Sequence, residues 1–309
     1  MVKATKNRKN LFLFIKILLF LAVAFLCYFQ FSKINFTESF DKIELNLQPF
    51  IGMVLLLPLN YFFEWKKWSA VLDTIDTDVG SRTNFQAFMA GIVTGMLTPN
   101  MQGNFLGRLY YFPRRFRLNI ILLTFWTNIG QFLIALIFGI ISCLLIGVSV
   151  SQKMGDRLLV PLILIVIVVA IIYFTIEKWS IGLRRFKFIR RFQGLIESHR
   201  WFRLEVLFWG SLRYVVFSIQ FWLSLLAFGG EPSLELLLLV WQIYLWSTVA
   251  PSLILGKLFV RESIALWVLA GIGMGEMNIV FASISIWVVN LLVPTLIGIG
   301  VCKRETVKE

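Results

Sequence analysis

The sequence predicts an all-α fold: a polytopic transmembrane helical bundle of about six full crossings plus two broken or re-entrant segments, forming a single integral membrane domain over residues 1–309. Three observations carry that expectation. Hydrophobic residues make up 58% of the chain and its mean hydropathy is +0.80, too apolar for a polar shell to hold it in water, so lipid must solvate much of its surface. Several apolar runs reach the ~20 residues that a helix needs to cross the hydrocarbon of a bilayer. Those runs are continuous, whereas barrel strands alternate, which leaves helices as the structure that satisfies its own backbone in lipid.

The first run, residues 11–31, follows Lys3, Lys6, Arg8 and Lys9. It is too long for a signal peptide and no small-residue cleavage site follows, so it reads as a retained helix whose amino terminus is cytoplasmic. Further crossings are expected at residues 49–63, 118–148, 158–176, 205–228 and 279–301. The net charge of +13 is concentrated in a few loops. Lys178, Arg184, Arg185, Lys187, Arg190, Arg191, Arg200 and Arg203 face only Glu177 and Glu197 across one of them; Arg108, Arg114, Arg115 and Arg117 make a second; Lys303, Arg304 and Lys308 make a third. Positive loops stay inside, so all three, and with them both termini, are placed in the cytoplasm. The mixed or acidic connections at 32–48, 151–157 and 229–232 suit the outer face. The basic runs are accounted for by orientation and by attraction to anionic headgroups, and no nucleic-acid partner is expected.

Two apolar stretches, residues 84–107 and 234–275, do not fit this alternation. The first has Lys66, Lys67 and Arg82 before it and Arg108 after it, so it is expected to enter and leave by the cytoplasmic face. The second is either its mirror image or a pair of short full crossings. Both carry proline, then glycine, then arginine: Pro99, Gly103 and Arg108 in one, Pro251, Gly256 and Arg261 in the other. Proline removes an amide donor and glycine permits a close turn, so each stretch is expected to break in mid-membrane, with Pro99, Gly103, Pro251 and Gly256 as the structural breaks. With the first half ending near Val150, the halves of about 1–150 and 151–309 would each hold two crossings, a broken segment and a closing crossing, in opposite orientations. That is an inverted repeat with a site between the breaks.

Other chemistries find little support. Cys27, Cys143 and Cys302 lie in or beside apolar segments and imply neither disulfide nor thiolate site, while the single histidine, His199, sits in a basic loop; no metal or cofactor is expected. A Gly-Lys-Ser/Thr phosphate loop is lacking, so the chain has no ATPase motif of its own. Asp76-Thr77-Asp78 resembles the paired acids that hold a divalent metal in nucleotide-sugar glycosyltransferases, but with Asp73 beside it and no nucleotide-binding domain it reads as a solvated loop. A membrane-embedded lipid glycosyltransferase and a non-catalytic envelope assembly factor remain the alternative classes.

Several motifs resemble those of the lysylphosphatidylglycerol synthetase/flippase transmembrane family, over essentially the whole chain. The segment Asn60-Tyr61-Phe62-Phe63-Glu64-Trp65-Lys66-Lys67-Trp68 is similar to the family's Asn...Lys-Trp segment, and Arg213-Tyr214 with Phe217 and Gln220 to its Arg-Tyr...Phe...Gln helix. Pro251, Gly256, Arg261 and Glu262 match its second broken motif; in the first, Gly103-Asn104 stands where the family usually has Gly-Glu, which removes one acidic group. The resemblance implies a flippase-like membrane protein of the bacterial inner membrane that handles lipid. A chain ending at Glu309 leaves no room for the family's cytosolic aminoacyltransferase domain, so the translocating half alone is expected.

The candidate site follows from ionisable and polar residues placed within the membrane: Arg108, Arg213, Lys257, Arg261 and Glu262, supported by Asn60, Asn100, Gln102, Asn104 and Gln220. A charge in hydrocarbon costs about 2.5 to 3.5 kcal/mol, so each should face a cavity or a partner. Guanidinium forks suit phosphate, and the expected arrangement has Arg108 and Arg261, with Arg213, holding an anionic or lipid-linked headgroup while Glu262 pairs with an arginine in its absence. The plainer readings are that Arg108 begins the cytoplasmic loop and that Lys66 and Lys67, flanked by Trp65 and Trp68, form an interfacial anchor with Glu64 pairing to one of them.

Overall fold

The computed structural model describes residues 44–75, 77, 79–98, 103–148, 152–176, 187–199, 201–250 and 257–302, without the side chains of 152–158, 187–189, 198 and 257–259. The expected crossing at 11–31, the breaks Pro99, Pro251 and Gly256, and Asn100, Gln102, Asp76 and Asp78 lie outside the described residues. Within them the fold is all-α and contains no strand.

Among the described residues, four helical spans are long and apolar enough to cross a membrane: Leu47–Ile75, Arg114–Ile146, Phe202–Ala227 and Glu276–Val301. The first comprises α1 (Leu47–Leu55) and α2 (Leu57–Ile75). They part at Leu56 because Pro58 brings no amide to the turn before it. The Asn46 side chain caps α1 by accepting from the Gln48 amide at 3.1 Å, and the Asn46 amide donates to the Ala227 carbonyl at 2.8 Å, fixing this end to a neighbouring span. The crossing expected to stop at residue 63 therefore runs on to Ile75, carrying Glu64, Lys66 and Lys67 inside the helix.

The stretch expected to break first does so between α3 (Ser81–Met96) and α4 (Asn104–Leu109), which folds back along it. Thr94 ties the limbs: its hydroxyl accepts from the Gly107 amide at 3.1 Å. The contact is so close that a Cβ on Gly107 would lie 2.1 Å from the Ala90 carbonyl oxygen, so only glycine fits there. At the turn the Thr98 hydroxyl accepts from the Gly103 amide at 2.7 Å, satisfying a donor that the break leaves free. Next come α5 (Arg114–Ile146), α6 (Gln152–Thr175), the short amphipathic α7 (Lys187–Ser198) and α8 (Phe202–Ala227). The apolar face of α7 buries Phe192 and Ile196, with Phe192 against Trp126, and Arg191 donates to the Asn119 side chain at 2.6 Å and to the Arg115 carbonyl at 2.9 Å.

The second interrupted stretch forms α9 (Leu234–Val249) and α10 (Lys257–Leu269), which pack on each other. The last span is α11 (Glu276–Trp287), a π-helical turn (Val288–Leu292) and α12 (Val293–Val301). α8 lies against α1, α2 and α11, α9 against α5, and α3 against α12, so both interrupted stretches are wedged among long spans. The buried apolar side chains form two main clusters, one around α2, α3, α5 and α7 and the other around α5, α8, α9, α10 and α11. On the outward faces Leu144 and Leu145 are 65% and 66% exposed and Val160 62% exposed, surfaces that water would solvate poorly and acyl chains solvate well.

Candidate functional site

On α2, Asn60, Glu64 and Lys67 are spaced by four and then three residues, which puts them on one helix face. Glu64 is the centre of that stripe. Its Oε2 lies 2.8 Å from Lys67 Nζ and 3.1 Å from Arg213 Nη1, and its Oε1 lies 3.8 Å from Arg108 Nη2, so three cations share one carboxylate. Arg213, from α8, also donates through Nε to Asn60 Oδ1 at 3.2 Å. The Asn60 amide donates onward to Gln220 Oε1 at 2.9 Å and to Asn290 Oδ1 at 3.1 Å, and Gln220 in turn donates to the Met53 carbonyl at 3.0 Å. One network thus joins α1, α2, α8 and the π turn. Lys67 completes its contacts by donating to Gln131 Oε1 of α5 at 3.2 Å.

Asn290 owes its place to the backbone around it. Pro294 offers no amide to the preceding turn, and the Asn290 carbonyl, four residues earlier, instead accepts the Tyr61 hydroxyl at 2.7 Å. The π turn aims the Asn290 side chain at Asn60, a distortion of the kind that recurs at functional sites.

The opposite wall comes from α10. Arg261 Nη2 lies 3.0 Å from Glu262 Oε1 and donates to the Ser283 carbonyl of α11 at 2.8 Å, while its guanidinium lies 5.8 Å from the centre of the Phe221 ring. Between the walls is a cavity of about 360 Å³. Asn60, Glu64, Lys67 and Arg213 line one side, Arg261 and Glu262 the other. Both interrupted stretches reach it, the first through Gly95, Met96, Thr98 and Asn104 and the second through Ser247, Thr248, Arg261 and Glu262. Several buried lining atoms have no hydrogen-bond partner among the described residues: the donors Asn128 Nδ2, Asn290 Nδ2, Tyr214 OH, Tyr244 OH, Trp287 Nε1 and Arg261 Nε, and the acceptors Asn104 Oδ1 and Glu262 Oε2. Among the described residues no three His, Cys, Asp or Glu side chains converge where a metal ion would sit.

Of the residues singled out in the sequence, Asn60, Arg213 and Gln220 meet in one network, Arg261 and Glu262 pair across the cavity from them, and Asn104 lines the cavity at the start of α4. Gly103 caps α4, and Lys257 opens α10 with its side chain outside the described set. Arg108 is 3% exposed, its guanidinium 4.3 Å from the centre of the Trp68 ring and within reach of Glu64. Its reading as the start of a solvated loop is corrected: the ring face and the carboxylate hold the charge inside.

The interfacial-anchor reading of Lys66 and Lys67 is corrected for Lys67. That side chain turns inward because Glu64 lies one turn back on its own helix, and it is 4% exposed. Lys66 remains on the outer side, with Nζ 5.6 Å from the Phe62 ring centre and 5.7 Å from that of Trp209. The sequence reading missed Glu64 as the hub, missed the role of Tyr61 and did not single out Asn290. The available signals were the helical spacing of Asn60, Glu64 and Lys67 and an asparagine four residues before a proline.

Residues 13–298 match the family described as lysylphosphatidylglycerol synthase TM region. No curated protein matches the chain, and neither does any solved structure.

Proposed function

The chain belongs to the family of lysylphosphatidylglycerol synthase transmembrane regions, and from that premise we propose that it is a flippase-like lipid translocase, which receives an anionic or lipid-linked headgroup in the cavity between its two interrupted stretches. Membership ties it to membrane lipid; the translocating role and its setting in a bacterial inner membrane are our reading. The observation that carries the reading is the cavity wall, where Lys67 and Arg213 on one side and Arg261 on the other face a common space beneath apolar outer surfaces.

Guanidinium groups donate two parallel hydrogen bonds to phosphate, and a site shielded from water strengthens them. Glu64 and Glu262 hold those cations before a headgroup arrives. Each contact to phosphate then replaces a carboxylate contact instead of adding to it, which keeps the bound state shallow enough for release on the other side. The acyl chains stay in lipid throughout. Two halves of opposite orientation, each contributing one interrupted stretch, would let the same cavity open alternately to either leaflet.

The test is transport by the full chain in proteoliposomes that contain headgroup-labelled anionic lipids, with an impermeant quencher reporting the outer leaflet. Protein-dependent movement is expected, slowed about tenfold or more by Arg213→Ala or Arg261→Ala, each of which removes a charge-assisted contact of at least ~1.4 kcal/mol. No movement of any anionic lipid, or movement by both variants as fast as that of the unaltered chain, would overturn the proposal.

A further inference from the structure

We propose that the headgroup taken by this cavity is a dianionic phosphate borne by a lipid, a terminal phosphate monoester or a diphosphate, in preference to a singly charged phosphodiester. The inference rests on the reading of the cavity as a lipid headgroup site and adds the charge and the hydrogen-bonding character of what enters it.

Arg261 and Glu262 balance one another on their wall. Around Glu64 the balance fails: Lys67, Arg108 and Arg213 share that one carboxylate, and among the described residues no other carboxylate lies within ion-pair distance of them. In their ordinary charged forms these four side chains carry a net charge of two positive. Buried charge left without a counter-charge is strongly destabilising, and within a bilayer it is worse. A phosphodiester supplies one negative charge, whereas a phosphate monoester or a diphosphate supplies two.

The buried polar atoms of the lining residues that have no hydrogen-bond partner among the described residues are mostly donors: Asn128 Nδ2, Asn290 Nδ2, Trp287 Nε1, Arg261 Nε and the hydroxyls of Tyr214 and Tyr244, which can also accept, against the acceptors Asn104 Oδ1, Glu262 Oε2 and Glu64 Oε2, the last of them ion-paired. Indole and amide N–H groups can only donate. Such a lining suits a ligand richer in acceptors than in donors, which describes the oxygens of an ionised phosphate.

The experiment compares binding to the purified full chain in neutral detergent, at fixed pH and salt, of four probes: short-chain phosphatidate, short-chain phosphatidylglycerol, short-chain phosphatidylcholine and inorganic phosphate. Phosphatidate is expected to bind about tenfold or more tightly than phosphatidylglycerol, the result of one additional charge-assisted contact, with inorganic phosphate and phosphatidylcholine weaker still. Arg213→Gln and, separately, Lys67→Met each lower the excess to one charge, and are expected to shrink the ratio between the first two probes rather than weaken both equally. Equal binding of phosphatidate and phosphatidylglycerol would overturn the dianion proposal while leaving an anionic-lipid translocase intact. Inorganic phosphate binding as tightly as phosphatidate would overturn the lipid source. If the variants fail to fold, the ratio measured on the unaltered chain decides alone.

Discussion

Glu64→Gln is the most informative single change, because it keeps the shape of the side chain and removes only its charge. The close contacts affected are those to Lys67 at 2.8 Å and Arg213 at 3.1 Å, with Arg108 at 3.8 Å less dependent because it also lies against Trp68. Removing one partner from a buried ion pair costs about 3 to 5 kcal/mol. The lower end applies here, since the Arg213 side chain retains 22% exposure and can turn toward the cavity, and the glutamine oxygen can still accept from Lys67. We therefore expect a loss of about 3 kcal/mol, and a recovery of about 1 to 2 kcal/mol when Lys67→Met removes one of the stranded charges from the same background. Unfolding in mixed micelles of neutral and denaturing detergent, followed by tryptophan fluorescence, measures both. A loss under ~1 kcal/mol in the single variant, or a double variant no more stable than the single, would refute the shared-carboxylate account.

Three further outcomes are expected. Tyr61→Phe should cost about 1 to 3 kcal/mol by stranding the buried Asn290 carbonyl, and clearly less in a Pro294→Ala background, where an amide can reach that oxygen; the same unfolding assay on the four proteins of the cycle checks it. Gly107→Ala should prevent the close approach of α4 to Ala90, destabilising by roughly 1 to 3 kcal/mol or more and exposing α4 to protease, whereas Gly194→Ala, whose added Cβ meets nothing within 4 Å, should be nearly silent. Gln220→Leu should leave the Met53 carbonyl without its side-chain donor and the Asn60 amide with Asn290 as its remaining acceptor, with a cost of about 1 to 3 kcal/mol and a fall in lipid transport.

The long spans were legible because continuous apolar sequence has one outcome in lipid, and the ends expected for the crossings at 118–148, 205–228 and 279–301 fall within a few residues of the helices found. The interrupted stretches were legible for a related reason: proline and glycine act on the backbone locally, whatever surrounds them, and α3 does stop before Pro99 and α9 before Pro251. The span through Ile75 was cut short in the sequence reading because a hydropathy sum charges Glu64, Lys66 and Lys67 for burial without knowing which of them will be neutralised. Spacing alone could place Asn60, Glu64 and Lys67 on one face. It could not supply Arg213 or Asn290, which lie 149 and 226 residues further along from Glu64 and arrive only through packing. The role of Tyr61 was hidden in the same way, since its partner is a backbone atom freed by a proline at the far end of the chain.

The sharing of one carboxylate among three cations has an evolutionary corollary. Positions 64, 67, 108 and 213 cannot drift independently, because neutralising any one member alters the field felt by the others. Across relatives they should covary as a set: where the acid is lost, at least one of the bases should be lost too, and a lineage that restores parity between the signs should have moved to a different cargo.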